Sequence, residues 1–434
     1  MRISEGIRQK GSFLDLLISI FAVVVYIALI WTLSGPLLGW LAVWRSDVKG
    51  LSSAAGHDTS NALYPYLFGR YHYLNIDSPD PDAAIRQYKR SLMLSPLQAG
   101  VWTDLSKAYQ TMGQAREAEY SLERAVRLNP NDPHLMWEAG TFWLINGMPE
   151  KAVGALKRCI QLEPGRQMEV YDLCWKLRLD NNYIFSSLVP GNYAYRSKYL
   201  MYLMRTKRTG ETQDVWKAID RNSLEQGLFI EYINFLINSG LYEKAAPVWK
   251  EITGRMADVE KIDQTPLVWN ANFEHDILNG GFDWVISETE GADVFIDDAV
   301  RMNGNRSLGV TFDGSHNLDI TIAQQIVQVT PGMKYALKGY FKTDSLTTTN
   351  GVFLQVDGHT CSGISMKSET VTGTNLWREV AIDFDAPSGC KAVVLKIRRE
   401  RSAKLDNKIM GVAWIDGITL RQRADILKTS FRRP

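Results

Sequence analysis

AGVWTDLSKAYQTMGQAREAEYSLERAVRLNPND, residues 99–132, is the stretch that decides the fold. It ends on Pro130, and the prolines at Pro96 and Pro164 stand 34 residues to either side, each closing a segment with the same residue types at the same offsets. Aligned on those prolines, the segments run 65–98, 99–132 and 133–166. The fourth place holds Phe68, Trp102 or Met136, the eleventh Asn75, Tyr109 or Trp143, and the twentieth Ala84, Ala118 or Ala152. Large residues return at Tyr88, Leu122 and Leu156. Two antiparallel helices need small residues where they touch and large ones in the hollow between neighbouring pairs. One pair alone cannot bury its apolar face, so the units must stack.

The middle unit, with Trp102, Leu105, Tyr109, Gly113, Ala118, Ala125 and Pro130 in register, resembles the tetratricopeptide repeat. Weaker copies follow around Tyr199, Tyr202, Leu203 and Gly210, and around Phe229, Tyr232, Gly240, Ala245 and Trp249. The expectation is a right-handed solenoid of about five or six helix pairs over residues 65–260. In such a solenoid, unit positions 2, 5, 9 and 12 line the concave wall. They are Tyr66, Gly69 and Tyr73 in the first unit, Gly100, Thr103, Lys107 and Gln110 in the second, and His134, Trp137, Thr141 and Leu144 in the third. Aromatic anchors within a polar rim suit a protein partner in the groove, with Tyr66, Tyr73, Lys107, Gln110, His134, Trp137 and Thr141 as its contacts. The competing expectation is that Tyr66, Trp137 and Leu144 touch only the protein's own later helices.

Ahead of the repeats, Leu16 to Leu33 is a run of 18 residues without a charge, about 27 Å of helix at 1.5 Å per residue. Gly35, Pro36 and further apolar residues follow it instead of a small-x-small cleavage site, which favours an uncleaved anchor over 13–36. Arg2, Arg8 and Lys10 precede it, whereas Arg45 and Lys49 follow, so residues 1–12 are assigned to the cytoplasm and the bulk of the chain to the periplasm of a single-pass inner-membrane protein. Residues 37–64 form a juxtamembrane segment. Within it Leu37–Trp44 is expected either along the outer interface or as the start of the first packed helix.

With 49 basic residues against 48 acidic ones, no general electrostatic attraction to nucleic acid exists. Four cysteines fall into two local pairs. Cys159 and Cys174 occupy tight helix-contact positions, where free buried thiols and a bridge both remain open, whereas Cys361 and Cys390 are expected to bridge in an extracytoplasmic compartment.

Past residue 262 the period changes to two. Leu308, Val310 and Phe312 alternate with small or polar neighbours, as do Val352, Leu354 and Val356, then Val380, Ile382 and Phe384, then Val393, Leu395 and Ile397. Eight or more short strands within about 160 residues indicate a β-sandwich or jelly roll. Asn270-Ala-Asn272-Phe273-Glu274, Gly281-Phe282-Asp283-Trp284, Gly304-Asn-Arg306-Ser307-Leu308 and Trp414-Ile-Asp416-Gly-Ile418 look like carbohydrate-binding modules with the galactose-binding-like jelly-roll fold, over 265–422. That resemblance implies a structural calcium ion near Glu274 and Asp416, with Asp416 on a core-facing stripe shared with Trp414 and Ile418; an edge residue satisfied by donors is the alternative. It also implies a glycan site, for which the candidates are Trp284, Trp377, Arg306, Gln324, Gln325 and Asp357. Core packing of the tryptophans and solvated strand ends for the polar residues stand against them. Residues 423–434 form a basic tail.

The six histidines form no H-x-x-x-H pair, and no G-x-S-x-G elbow, phosphate loop or dinucleotide fingerprint occurs. The expected protein is a multidomain α + β, non-catalytic envelope scaffold: a membrane anchor, an α-solenoid that recruits a partner, and a sandwich that holds or senses a polysaccharide in exopolysaccharide or O-antigen assembly. Its rival is a structural interaction protein whose sandwich binds no sugar and caps the last helix of the solenoid.

Overall fold

The computed structural model describes residues 4–43, 48–221, 224–255 and 267–423; Arg2, Arg45, most of the linker before 267 and the basic tail from 424 onward lie outside them. The chain divides into two compact units, Met1–Tyr199 and Leu200–Pro434.

In the first unit α1 (Ser4–Val43) and α2 (Val48–His57) precede the repeat helices α3 (Leu63–Leu74), α4 (Pro81–Leu94), α5 (Ala99–Thr111), α6 (Ala115–Leu128), α7 (Pro133–Ile145) and α8 (Pro149–Leu162). Helices α9 (Gln167–Lys176) and α10 (Asn181–Tyr183), a π-type turn at Ile184–Leu188 and α11 (Tyr193–Arg205) follow, the unit boundary falling inside α11. Helix starts follow the sequence signals. Asp80 and Asp132 accept hydrogen bonds from the first free N–H groups of α4 and α7, just ahead of Pro81 and Pro133, whose missing N–H costs nothing in the first turn. Helices α5 and α7 each stop at a glycine with positive φ, Gly113 (70°) and Gly147 (74°), where Gln114 N reaches back to Tyr109 O (2.9 Å) and Met148 N to Trp143 O (2.8 Å), whereas α3 ends at Asn75 in extended backbone.

Packing within the pairs explains the register. Ala84, Ala118 and Ala152 are fully buried, and so are Tyr88, Leu122 and Leu156. At the equivalent helix-contact positions Ser106 Oγ donates to Ala118 O across the α5–α6 pair, while a Cβ on Gly140 would stand 2.5 Å from Leu156 Cγ. Cys159 and Cys174 are buried free thiols, and burial pushes their pKa values up to about 11 and about 12.

The apolar helix is longer than the charge-free run. It continues through Pro36 to Val43, and its stretch from Leu16 to Leu41, 26 residues, is long and apolar enough to cross a membrane. Within Leu37–Trp44 the side chains of Leu37, Leu38, Trp40 and Leu41 are exposed, while Gly39 is buried against the Tyr64 ring; Gly35, just before the segment, lies against the carbonyl of His57, so α2 and α3 meet the end of α1 at its glycines.

The second unit holds α12 (Thr209–Ala218), α13 (Gln226–Asn238) and α14 (Tyr242–Thr253) together with all ten strands: β1 (Val285–Ile286), β2 (Ala292–Asp297), β3 (Ser307–Asp313), β4 (Ile320–Gln328), β5 (Lys334–Leu346), β6 (Val352–Gly358), β7 (Ser365–Lys367), β8 (Gly373–Asp385), β9 (Ala392–Arg399) and β10 (Met410–Arg423). Two antiparallel five-stranded sheets, β1-β4-β9-β6-β7 and β2-β3-β10-β5-β8, face each other across one core that includes Phe273, Trp284, Phe312, Phe341, Leu354 and Ile397. The S–S bond of 2.00 Å between Cys361 and Cys390 ties the loop after β6 to the approach of β9.

The repeat helices α13 and α14 pack on the sandwich. Tyr242 Oη meets His359 Nδ1 at 2.6 Å and Thr360 Oγ1 at 2.9 Å, Gln328 Nε2 donates to Tyr242 O, and Gly281 N donates to Asn234 Oδ1 (2.8 Å). Trp249 lies edge-on to both Trp269 and Phe282. Compactness therefore begins about 60 residues before the change of periodicity.

Candidate binding sites

The repeat wall brings part of the expected groove together. Thr103, Lys107 and Gln110 on α5 face Trp137, Glu138 and Thr141 on α7 across a cavity of about 210 Å³. Glu138, which the sequence reading passed over, organises it by accepting from Lys107 Nζ at 2.7 Å and lying 3.2 Å from His134 Nε2. Thr141 Oγ1 is buried there without a hydrogen-bond partner. Tyr66 and Tyr73 do otherwise. Tyr66 Oη donates to Asp104 (3.0 Å), and Tyr73 Oη lies 3.1 Å from Thr111 Oγ1, so both hydroxyls tie α3 to α5 and are not offered to a ligand. For Tyr66 this contact with a later helix is the competing expectation; Tyr73 behaves in the same way.

In the sandwich the glycan candidates scatter. Trp284 is fully buried against Phe273, its Nε1 donating to Asn270 O, so it is a core filler and not a sugar platform. Gln325 is buried too, exchanging hydrogen bonds with the backbone of Trp269. Arg306 pairs with Asp276 at 3.0 Å on the surface, and Trp377 stands half-buried on β8, in the opposite sheet from Gln324 and Asp357. Only Gln324 and Asp357 share a surface, the outer face of the β4–β9–β6 sheet. Gln324 sits opposite Lys396 in the register, and Lys396 Nζ reaches Asp357 at 2.7 Å. Asp357 also accepts from Gln355 and Ser365; burial raises its pKa, but the Lys396 bond, followed by these two, outweighs it and holds the pKa down. Each charge on that face is already paired.

The other sheet carries an aromatic shelf that the sequence reading missed. Cross-strand register aligns Phe295 on β2, Gly309 on β3, Trp414 on β10 and Lys342 on β5 in one row on the outer face. Tyr340 stands in the next row beside Glu379. Gly309 leaves room for the Phe295 ring, and Gly417 leaves room for that of Tyr340. Trp414 is held by donating Nε1–H to Asp297 Oδ2 (2.7 Å), and Lys342 lies 5.4 Å from its ring centre. Lys338 and Glu379 add a polar rim, paired at 2.8 Å. Half-buried aromatic rings flanked by charged hydrogen-bonding groups are what a pyranose ring requires.

The reason for the miss is a β-bulge. Strict alternation puts Trp414, Asp416 and Ile418 on one core-facing stripe, but the register shifts between Asp416 and Thr419, with Gly417 at φ 61°. Ile418 turns into the core, while Trp414 and Asp416 belong to the outer face.

Asp416 is nevertheless fully buried, because the loop before β3 folds over it. Its carboxylate accepts from the backbone N–H groups of Met302 (2.8 Å), Asn303 (2.8 Å) and Gly417 (2.6 Å), and burial raises its pKa against those bonds. Glu274 accepts from Asn305 N (2.7 Å), Arg306 N (3.0 Å) and the Asn305 side chain. A calcium ion needs oxygen lone pairs free of N–H donors. Here each carboxylate already accepts three N–H bonds, out of about four lone-pair sites, and no cluster of three His, Cys, Asp or Glu side chains exists among the described residues.

These surfaces and this architecture define a protein assembled from two kinds of binding module, tetratricopeptide repeats and a carbohydrate-binding-module-like β-sandwich. Residues 99–132 match the family model for the tetratricopeptide repeat, and residues 265–403 match the model described as a carbohydrate binding domain; both are families of binding modules. The chain is 23% identical over 210 residues to the TPR repeat-containing protein YpiA of Bacillus subtilis (strain 168), covering 46% of this chain and 49% of that one, so it spans about half the length of the curated relative it matches. Among solved structures it is similar to MamA (16% identity, TM-score 0.29, 53% of this chain and 99% of that one). It is also similar to TmCBM61 in complex with beta-1,4-galactotriose (15% identity, TM-score 0.26, 37% and 100%).

Proposed function

We propose that the chain is a membrane-anchored, non-catalytic scaffold of the bacterial cell envelope, recruiting a protein partner through the repeat groove and holding or sensing glycan through the sandwich, in exopolysaccharide or O-antigen assembly. The observation that carries the glycan half is the shelf of Phe295, Trp414 and Tyr340, rings in two neighbouring rows kept on the outside of a sheet by glycines and a bulge. The groove around Lys107, Glu138 and Trp137 supports the partner half, and the apolar stretch Leu16–Leu41 supports anchoring. The envelope process rests on the association of these modules.

A specific observation also favours a second reading, in which the sandwich serves as the end cap of the helical repeats. The docking of Tyr242 and Trp249 on the loops around His359 and Phe282 buries the last helical hairpin's apolar side. The two roles use different surfaces and are compatible.

The test uses the full chain in lipid nanodiscs with purified envelope polysaccharides, measured by calorimetry. Binding that Trp414→Ala weakens at least tenfold supports glycan holding; absence of binding to every glycan leaves the cap. Trp137→Ala and Lys107→Glu should remove a cross-linked partner, and a reporter fused after residue 60 should read out on the periplasmic side.

A further inference from the structure

The repeat register itself exposes an anomaly at one junction. Between α6 and α8, Lys151 reaches back to Glu119 (2.5 Å) and Glu123 (2.8 Å), and these ion pairs bridge the second and third units. One repeat earlier the equivalent places hold Glu117, Ile85 and Lys89, and Arg127 is replaced by Met93. No ion pair involves Lys89, Arg116 or Glu117 among the described residues, and in place of a bridge the α4–α5–α6 junction opens into a cavity of about 560 Å³. Its walls are Trp102 and Tyr120, fixed edge-to-face at 79°, with the Trp102 Nε1–H anchored on Pro96 O. Leu105 and Tyr109 form the floor, and Met93, 78% exposed, forms the lip. Around the opening, Lys89 lies over the Tyr109 ring, Arg124 over the Trp102 ring, and Arg116 stands beside them, three cations against the single Glu117.

We propose that this pocket docks a peptide segment of a partner protein carrying an aliphatic or aromatic anchor flanked by acidic residues. An apolar pocket with rigid aromatic walls desolvates an anchor side chain, which is where docking energy concentrates. The surplus of cations at the rim selects carboxylates beside that anchor and rejects basic segments. The site is separate from the groove described above. Helix α5 gives Trp102, Leu105 and Tyr109 to this pocket and Thr103, Lys107 and Gln110 to the groove, so the two can be occupied independently.

The experiment takes the full chain in nanodiscs of phosphatidylcholine and measures fluorescence anisotropy of a labelled peptide with leucine and phenylalanine set among glutamates, beside an analogue with lysines for the glutamates. The acidic peptide should bind saturably and the basic one should not. Tyr120→Ala, at a position 60% exposed and so tolerant of change, should weaken binding at least tenfold, and Lys89→Glu with Arg116→Glu by at least as much. Equal binding of both peptides, absence of saturation, or indifference to the Tyr120 and charge-reversal variants overturns the proposal. So does an outcome in which the acidic peptide fails and phosphatidylglycerol in the nanodisc protects Lys89 and Arg116 from chemical modification, because the surface then faces lipid.

Discussion

Tyr242 at the start of α14 and His359 in the loop after β6 are 117 residues apart in sequence, yet the tyrosine hydroxyl sits 2.6 Å from the imidazole Nδ1. A repeat helix and a strand loop are thus parts of one folded body, reinforced by the neighbouring bond to Thr360 and the Trp249–Phe282 contact.

Cutting the chain at the change of periodicity should therefore cost stability. A fragment of residues 265–422 lacks α13 and α14 and exposes Trp269 and Phe282, so it should melt well below a fragment of residues 200–423 and bind a hydrophobic dye. In the full chain Trp249→Ala should destabilise the second unit by about 3–5 kcal/mol and Tyr242→Phe by about 1–2 kcal/mol, read by urea unfolding of that unit.

Asp283 predicts an unusual pH response. It is buried, with one oxygen accepting from Leu278 N at 2.7 Å, and burial pushes its pKa up to about 6 against the hydrogen bonds it accepts. An acid whose folded pKa lies above its unfolded one stabilises when protonated, so its contribution falls as pH rises from about 4 through 6 and is absent at neutrality. His359 acts oppositely, since burial lowers its pKa and makes acidification unfavourable. Asp283→Asn separates them: it should raise stability at pH 7 by about 1–3 kcal/mol and leave only the decline on acidification. An unaltered pH profile in chemical denaturation would count against this account.

Calcium should do nothing for the fold. Because Glu274 and Asp416 are occupied by N–H donors, melting curves with millimolar calcium and with chelator should coincide. Asp416→Ala should cost about 3 kcal/mol by stranding the donors of Met302 and Asn303, and it should loosen the loop before β3 in hydrogen exchange.

Inside the repeats, Gly140→Val should be disruptive although valine is apolar. The added atoms meet Leu156 at 2.5 Å in a packed contact, and overpacking of this kind costs about 1–3 kcal/mol. A double variant with Leu156→Ala should recover part of the loss in a thermal melt.

The helical hairpins and the sandwich were legible from the residues alone, because both are written in short-range periodicity. A 34-residue register fixes which alanines are buried, and period-two alternation fixes which strand residues face the core. The sequence also marked Lys107, Trp137 and Thr141 for one groove, since stacking identical units places equivalent positions side by side. Tertiary structure alone decided which tryptophan is core and which is shelf. Trp284 and Trp414 look alike in sequence, but a bulge at Gly417 reverses one stripe and a turn folds the other inward. A sandwich capping the last repeat helix was legible as an alternative, because a repeat array needs a cap, but the contacts that make it were not, because pairs more than a hundred residues apart depend on shape and leave no local period to read.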